Sequence, residues 1–90
     1  MQKAGAFQEA WFEMNVTVYT MHGCGACDRA KDFLSRNHVK FKELNVSEDS
    51  RAREELLSMG YRAAPVIKID SQMMLGFDPV KLKEFLGLKD

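Results

Sequence analysis

The stretch Val16-Thr17-Val18-Tyr19-Thr20-Met21-His22-Gly23-Cys24-Gly25-Ala26-Cys27 decides how this chain is read. Its β-branched and aromatic start predicts a strand, Met21 to Gly23 make a loop, and Cys24 stands at the head of a helical pattern. Two thiols separated only by Gly25 and Ala26 can close into a disulfide and reopen by thiol exchange. At a helix N-terminus, unpaired backbone N–H groups and the positive end of the macrodipole stabilise an anion. In such motifs a thiol pKa falls from about 8.5 into a range of roughly 3.5 to 7.5. Cys24 is therefore the expected nucleophile. Cys27, one turn further in and better shielded, is the expected resolving thiol. Gly25 and Ala26 add no bulk that would keep a protein disulfide away. His22 has two readings: an imidazolium that favours the thiolate, or a solvated loop histidine.

Two other uses of the cysteine pair fit less well. A structural zinc site usually needs four Cys or His ligands, and the chain offers Cys24, Cys27, His22 and His38, with His38 at the far end of the predicted helix. A purely structural disulfide would close a tiny loop and constrain little of the unfolded chain. The 90 residues make one domain, and 46% hydrophobic residues are enough for a modest core. Thirteen basic and thirteen acidic residues give a formal net charge of zero, so no global field recommends nucleic acid or a membrane as partner. No run of about twenty apolar residues is present. Lys3, Glu9 and Glu13 interrupt the N-terminal stretch, which does not read as a signal peptide. A reactive dithiol without an export signal points to the cytoplasm.

Before the first strand, Phe7, Ala10, Trp11 and Met14 recur at helical spacing, which predicts a short amphipathic helix in an N-terminal extension, residues 1–14. It either packs on the domain formed by residues 15–90 or offers Phe7, Trp11 and Phe12 to a second chain. After Cys27, the positions Ala26, Ala30, Phe33 and Leu34 mark one helix face ending near Asn37. Val39 to Val46 reads as a second strand, and Ser47 with Glu48 and Asp49 as the start of a helix. Ala52, Leu56 and Met59 form its buried stripe, Gly60 its stop, and Arg51, Arg53, Glu54 and Glu55 its solvated face. Val66 to Ile69 and Gln72 to Leu75 read as an antiparallel pair around Asp70-Ser71. Asp78-Pro79 starts the last helix, with Leu82, Phe85 and Leu86 inward and Gly87 as its end.

The order β-α-β-α-β-β-α, with the dithiol between the first strand and first helix, resembles the thioredoxin fold and, within it, the glutaredoxin family. The resemblance runs from about Val16 to Leu88 and rests on Val18-Tyr19-Thr20 before Cys24-Gly25-Ala26-Cys27, Ala64-Pro65-Val66 and Gly76-Phe77. It implies an α/β, thioredoxin-like four-stranded mixed sheet of order 2-1-3-4, its first two strands parallel, flanked by three helices. It further implies a cis proline at Pro65 beside the active cysteine. The Ala64 backbone is then free to pair with an incoming cysteine-containing segment, as in strand addition.

Glutaredoxins of the dithiol type often carry Cys-Pro-Tyr-Cys, a lysine shortly before it, Thr-Val-Pro, and a Gly-Gly segment followed by an acidic residue that holds glutathione. Here Cys-Gly-Ala-Cys, Met21, Ala63-Ala64-Pro65 and Leu75-Gly76-Phe77-Asp78-Pro79 stand in those places. Gly60-Tyr61-Arg62-Ala63-Ala64-Pro65-Val66 and Gly76-Phe77-Asp78-Pro79 are more similar to NrdH-type redoxins. Those redoxins take electrons from thioredoxin reductase and pass them to ribonucleotide reductase. The resemblance thus implies a substrate edge at Ala64, Pro65, Gly76 and Phe77. Arg62 there would meet a glutathione carboxylate or an acidic partner loop, unless it simply faces solvent. Asp78 would touch a glutathione amine, with helix capping as the competing role. The expected activity is dithiol reduction of protein disulfides with no bound cofactor, thioredoxin reductase or glutathione supplying electrons. A redox-sensing adaptor module is the alternative of another class.

Overall fold

The computed structural model describes residues 15–88. The predicted N-terminal helix and its aromatic face lie outside the described residues. Strand β1 (Val16–Thr20) leads into helix α1 (Gly25–Arg36). Strand β2 (Lys42–Asn45), helix α2 (Ser50–Ser58), strands β3 (Val66–Ile69) and β4 (Gln72–Leu75), and helix α3 (Pro79–Leu86) follow. The strands form one mixed sheet in the order β2-β1-β3-β4. β1 runs parallel to β2, with Thr17 opposite Lys42 and Thr20 opposite Asn45. β3 is antiparallel to β1, with Val66 opposite Tyr19, and β4 is antiparallel to β3, with Leu75 opposite Val66.

Because side chains alternate along a strand, each strand feeds both faces of the sheet. Val16, Val18, Ile67, Ile69 and Met74 meet Ala30 and Leu34 of α1 and Leu82 and Leu86 of α3. Tyr19 and Val66 point the other way, to Ala52 and Leu56 of α2. Leu34 and Leu82 are completely enclosed. Truncating such a leucine to alanine costs about 2–5 kcal/mol, a large share of a small domain's stability. On the α2 face the Tyr19 hydroxyl donates to Glu55 Oε1 at 3.1 Å. Burial first, then that hydrogen bond and the carboxylate's charge, push the Tyr19 pKa up to about 12. Glu55, read as part of a solvated face, therefore ties α2 to the sheet.

The boundaries of β3, β4 and α3 are those expected, including Asp78 as N-cap and Gly87 in the left-handed conformation at φ 72°. Three details differ. β2 begins only at Lys42, because the Val39 N–H is taken by Leu34 O at 2.9 Å and His38 turns the chain at φ 60°. The chain closes the end of α1 before it can pair with β1. Beyond β2, Val46 still donates to Thr20 O at 2.8 Å and is buried. α2 starts at Ser50 and not beside Ser47: Asp49 caps it, accepting from the Ala52 N–H at 3.1 Å. Ser47 Oγ instead accepts the His22 N–H at 3.1 Å. On α1 the buried stripe is Cys27, Ala30 and Leu34, while Ala26 and Phe33 are half-buried.

Strand directions place the functional end of the molecule. β1, β2 and β4 all run the same way, and each is followed by a short connection and a helix. The N-termini of α1, α2 and α3 therefore gather at one end of the sheet. The segment from Gly60 to Pro65, which enters β3, reaches the same end because β3 runs oppositely. None of the helices among the described residues is long and apolar enough to cross a membrane.

Candidate active site

Cys24 is the N-cap of α1, in extended conformation at φ −105° and ψ 100°. The Cys27 N–H donates to its sulfur at 3.0 Å, as a capping side chain would accept it. The two cysteines are joined as a disulfide, with their Cα atoms 5.2 Å apart. Their surroundings differ as the sequence implied: Cys24 is half-buried, whereas Cys27 is 2% exposed. Cys24 is thus the more accessible of the two sulfurs.

Behind the pair lies a cavity of about 270 Å³ whose walls include Cys24, Cys27, Thr20, Lys31, Glu43 and Asn45. Three of its polar side chains are bonded together. Thr20 Oγ1, from a residue only 2% exposed, donates to Glu43 Oε2 at 2.8 Å, and Lys31 Nζ donates to the same oxygen at 3.1 Å. Asp28 lies 3.8 Å from the Lys31 ammonium. The Thr20 hydrogen bond first, then that from Lys31, hold the Glu43 carboxyl below its ordinary range against an opposing effect of burial. Thr20 belongs to the stretch that carries the family resemblance, but Lys31 and Glu43 did not stand out in the sequence. The one signal that could have found Lys31 is its four-residue spacing from Cys27, which puts both on one helix face.

The loop before Cys24 is pinned to the turn before α2. Besides the backbone bond to Ser47, His22 Nε2 lies 2.9 Å from Glu48 Oε2. His22 thus has a carboxylate partner, which neither reading of this residue anticipated. Among the described residues no group of three or more His, Cys, Asp or Glu side chains is placed to hold a metal ion.

The remaining predicted residues do not line the cavity behind the sulfurs. Ala64-Pro65 is cis, and Pro65 O accepts the Gly76 N–H at 2.7 Å, which carries the β3–β4 pairing one step towards the dithiol end. Gly76, at φ 86°, allows the chain to turn away there. The half-buried Phe77 ring sits edge-on to Phe33, centroids 5.7 Å apart, and so packs in the core. Asp78 Oδ1 accepts from the Val80 and Lys81 N–H groups at 3.1 and 3.3 Å, which is the capping role. Arg62 is exposed on the segment that leads to Pro65.

A half-buried sulfur capping a helix after the first strand of a 2-1-3-4 sheet defines a dithiol protein of thioredoxin-like fold. The comparisons agree. Residues 16–74 match the Glutaredoxin family model. The chain is 40% identical over 67 residues to the glutaredoxin-like protein NrdH of Lactococcus lactis subsp. cremoris (strain MG1363), covering 74% of this chain and 93% of that one. It is also 40% identical over 65 residues to Glutaredoxin 3 of Escherichia coli (strain K12), covering 71% and 78%. The structure of the glutaredoxin-like protein NrdH-redoxin from Escherichia coli superposes with a TM-score of 0.72 at 27% identity, covering 78% of this chain and 92% of that one. The chain belongs to the glutaredoxin family. It is a glutaredoxin-like thiol–disulfide oxidoreductase whose redox centre is the Cys24–Cys27 pair.

Proposed function

We propose that this protein is a dithiol electron carrier that reduces protein disulfides, with Cys24 as nucleophile and Cys27 as resolving thiol. The observation that carries the assignment is the asymmetry of the pair: Cys24 caps α1, accepts the Cys27 N–H and is half-buried, while Cys27 is 2% exposed. In the first step the Cys24 thiolate attacks one sulfur of the substrate disulfide, forming a mixed disulfide, and the other substrate sulfur leaves as a thiolate. Cys27, having given its proton to solvent, then attacks the Cys24 sulfur. The second substrate sulfur leaves, the Cys24–Cys27 bond closes, and two electrons have passed to the substrate. Each departing thiolate takes a proton from water.

The substrate segment lies along the main chain at Ala64 and Pro65, with Gly76 and Phe77 bounding the site and Arg62 and Asp78 at its rim. Thioredoxin reductase recycles the oxidised pair, and ribonucleotide reductase is the acceptor suggested by similarity to NrdH-type proteins. Two features of this chain support that donor: Met21 in place of a cation, and an Asp78 carboxylate already occupied with capping. The reducing cytoplasm suits a carrier of this kind.

Identity to Glutaredoxin 3 is equally high, and it favours a second reading in which glutathione is the reductant. One experiment separates the two. The oxidised protein is recycled either by thioredoxin reductase with NADPH or by glutathione with glutathione reductase, on the same protein-disulfide substrate. Faster recycling by thioredoxin reductase is expected. Fast turnover that saturates with glutathione at millimolar levels would replace this reading with the second.

A further inference from the structure

The resolving step poses a problem that the nucleophile does not share. Cys24 is helped by the end of α1, whereas Cys27 lies inside the first turn and is 2% exposed, where burial disfavours a thiolate. Yet Cys27 must ionise to attack. The charged groups that line the cavity with it are His22 from the loop, Asp28 and Lys31 from α1, and Glu43 from β2. His22 is engaged with Glu48, and Asp28 and Glu43 are carboxylates that oppose a second anion. Arg29, also on α1, lies against Gly25, its Nη1 3.5 Å from where a Cβ there would stand, and does not line the cavity; among the described residues Lys31 is the cavity-lining cation on the Cys27 helix. It sits four residues after Cys27, a spacing that brings Cβ atoms to about 5–6 Å on one helix face.

Glu43 fixes where that ammonium stands. Lys31 Nζ donates to Glu43 Oε2 at 3.1 Å, and Thr20 holds the same carboxylate oxygen at 2.8 Å from the sheet. Without these bonds a lysine side chain would extend into solvent. We propose that Lys31 is a positioning residue for the resolving half-reaction: its ammonium, moored by Glu43 against the cavity wall, is the counter-charge of the Cys27 thiolate. The Cys27 proton leaves into the polar cavity, which is roomy enough for water. The thiolate forms beside Lys31, the bond to the Cys24 sulfur closes, and the substrate sulfur departs and is protonated from solvent. No electron passes through Lys31.

The inference rests on Cys24 being the nucleophile, and single-turnover kinetics with an aromatic disulfide, dithiobis(nitrobenzoate), test both at once. Attack by Cys24 releases one coloured thiolate, and attack by Cys27 on the mixed disulfide releases the second. Losing a neighbouring cation raises a thiol pKa by about one unit, which is about tenfold in thiolate fraction below the pKa. Greater basicity returns about threefold in nucleophilicity, so Lys31→Met should slow the second phase roughly three- to fourfold. The first phase should be unchanged, and the pH profile of the second should move upward. Lys31→Arg should restore most of the rate, and Glu43→Gln, whose amide oxygen still accepts from Lys31 and so keeps the ammonium moored while an opposing charge is removed, should leave the second phase as fast or faster. A second phase in Lys31→Met with the wild-type rate and pH profile would overturn the proposal. So would a loss in Glu43→Gln as large as that in Lys31→Met, which would make the ion pair structural. A first phase that survives in Cys24→Ser and is lost in Cys27→Ser would overturn the nucleophile assignment instead.

Discussion

The N-termini of α1 and α3 lie at the same end of the sheet and are capped by different atoms. At α3 the Asp78 carboxylate accepts two backbone N–H groups, and at α2 the Asp49 carboxylate accepts one. At α1 the cap is the sulfur of Cys24. A carboxylate cap contributes about 1 kcal/mol, and a negative charge at a helix N-terminus a further 0.3–1 kcal/mol or so. α2 and α3 use that position for stability. α1 gives it to a sulfur that becomes an anion only when the disulfide opens. The helix end that is capped without a fixed charge is the one that carries the chemistry.

The largest effect should come from removing the sulfurs. Cys24→Ser is expected to abolish disulfide reduction, while Cys27→Ser keeps a nucleophile and accumulates substrate as a mixed disulfide on non-reducing gels. Trapping by Cys24→Ser in place of Cys27→Ser would reverse the roles.

Exchanging the caps should come next. Asp78→Ala is expected to lower unfolding stability by about 0.5–2 kcal/mol in urea titration and to leave Cys24 alkylation unchanged. Cys24→Asp makes α1 resemble its neighbours, and should be inactive yet at least as stable as Cys24→Ala. If Asp78→Ala slowed Cys24 as much as it lowered stability, the division between structural and chemical helix ends would fail.

The smallest effect concerns Tyr19, whose side chain packs on the α2 face of the sheet. Its pKa is raised from 10.0 to about 12, so the native state binds the phenolic proton more tightly. That stability is fully present below about pH 10 and is lost as pH rises towards about 12. Tyr19→Phe should flatten this alkaline loss without altering Cys24 alkylation at neutral pH. Alkaline unfolding curves of the two proteins are the measurement.

The parts of this molecule legible in its sequence are those whose signals are local. β3, β4 and α3 could be placed because a β-branched run, a two-residue turn, Asp78-Pro79 and Gly87 each act within a few residues. The helix start at Asp49 could not be separated from Ser47, because both side chains can cap. The deciding fact is that Ser47 is taken by His22 from another loop. The late start of β2 is hidden for a similar reason, the closing bond from Val39 to Leu34 being invisible in hydropathy. At the site, Cys24 and Cys27 were legible from spacing alone. The Thr20–Glu43–Lys31 network was not, since it joins two strands and a helix across sequence separations of 23 and 12 residues.

The central claim, that α1 poises Cys24 as the nucleophilic thiolate, is tested most directly by the rate of alkylation of the reduced protein as a function of pH, with the modified residue identified by mass. Modification confined to Cys24, with an apparent pKa below about 7.5, is the expected result. Alkylation that follows an ordinary thiol pKa of about 8.5, or that falls first on Cys27, would contradict it.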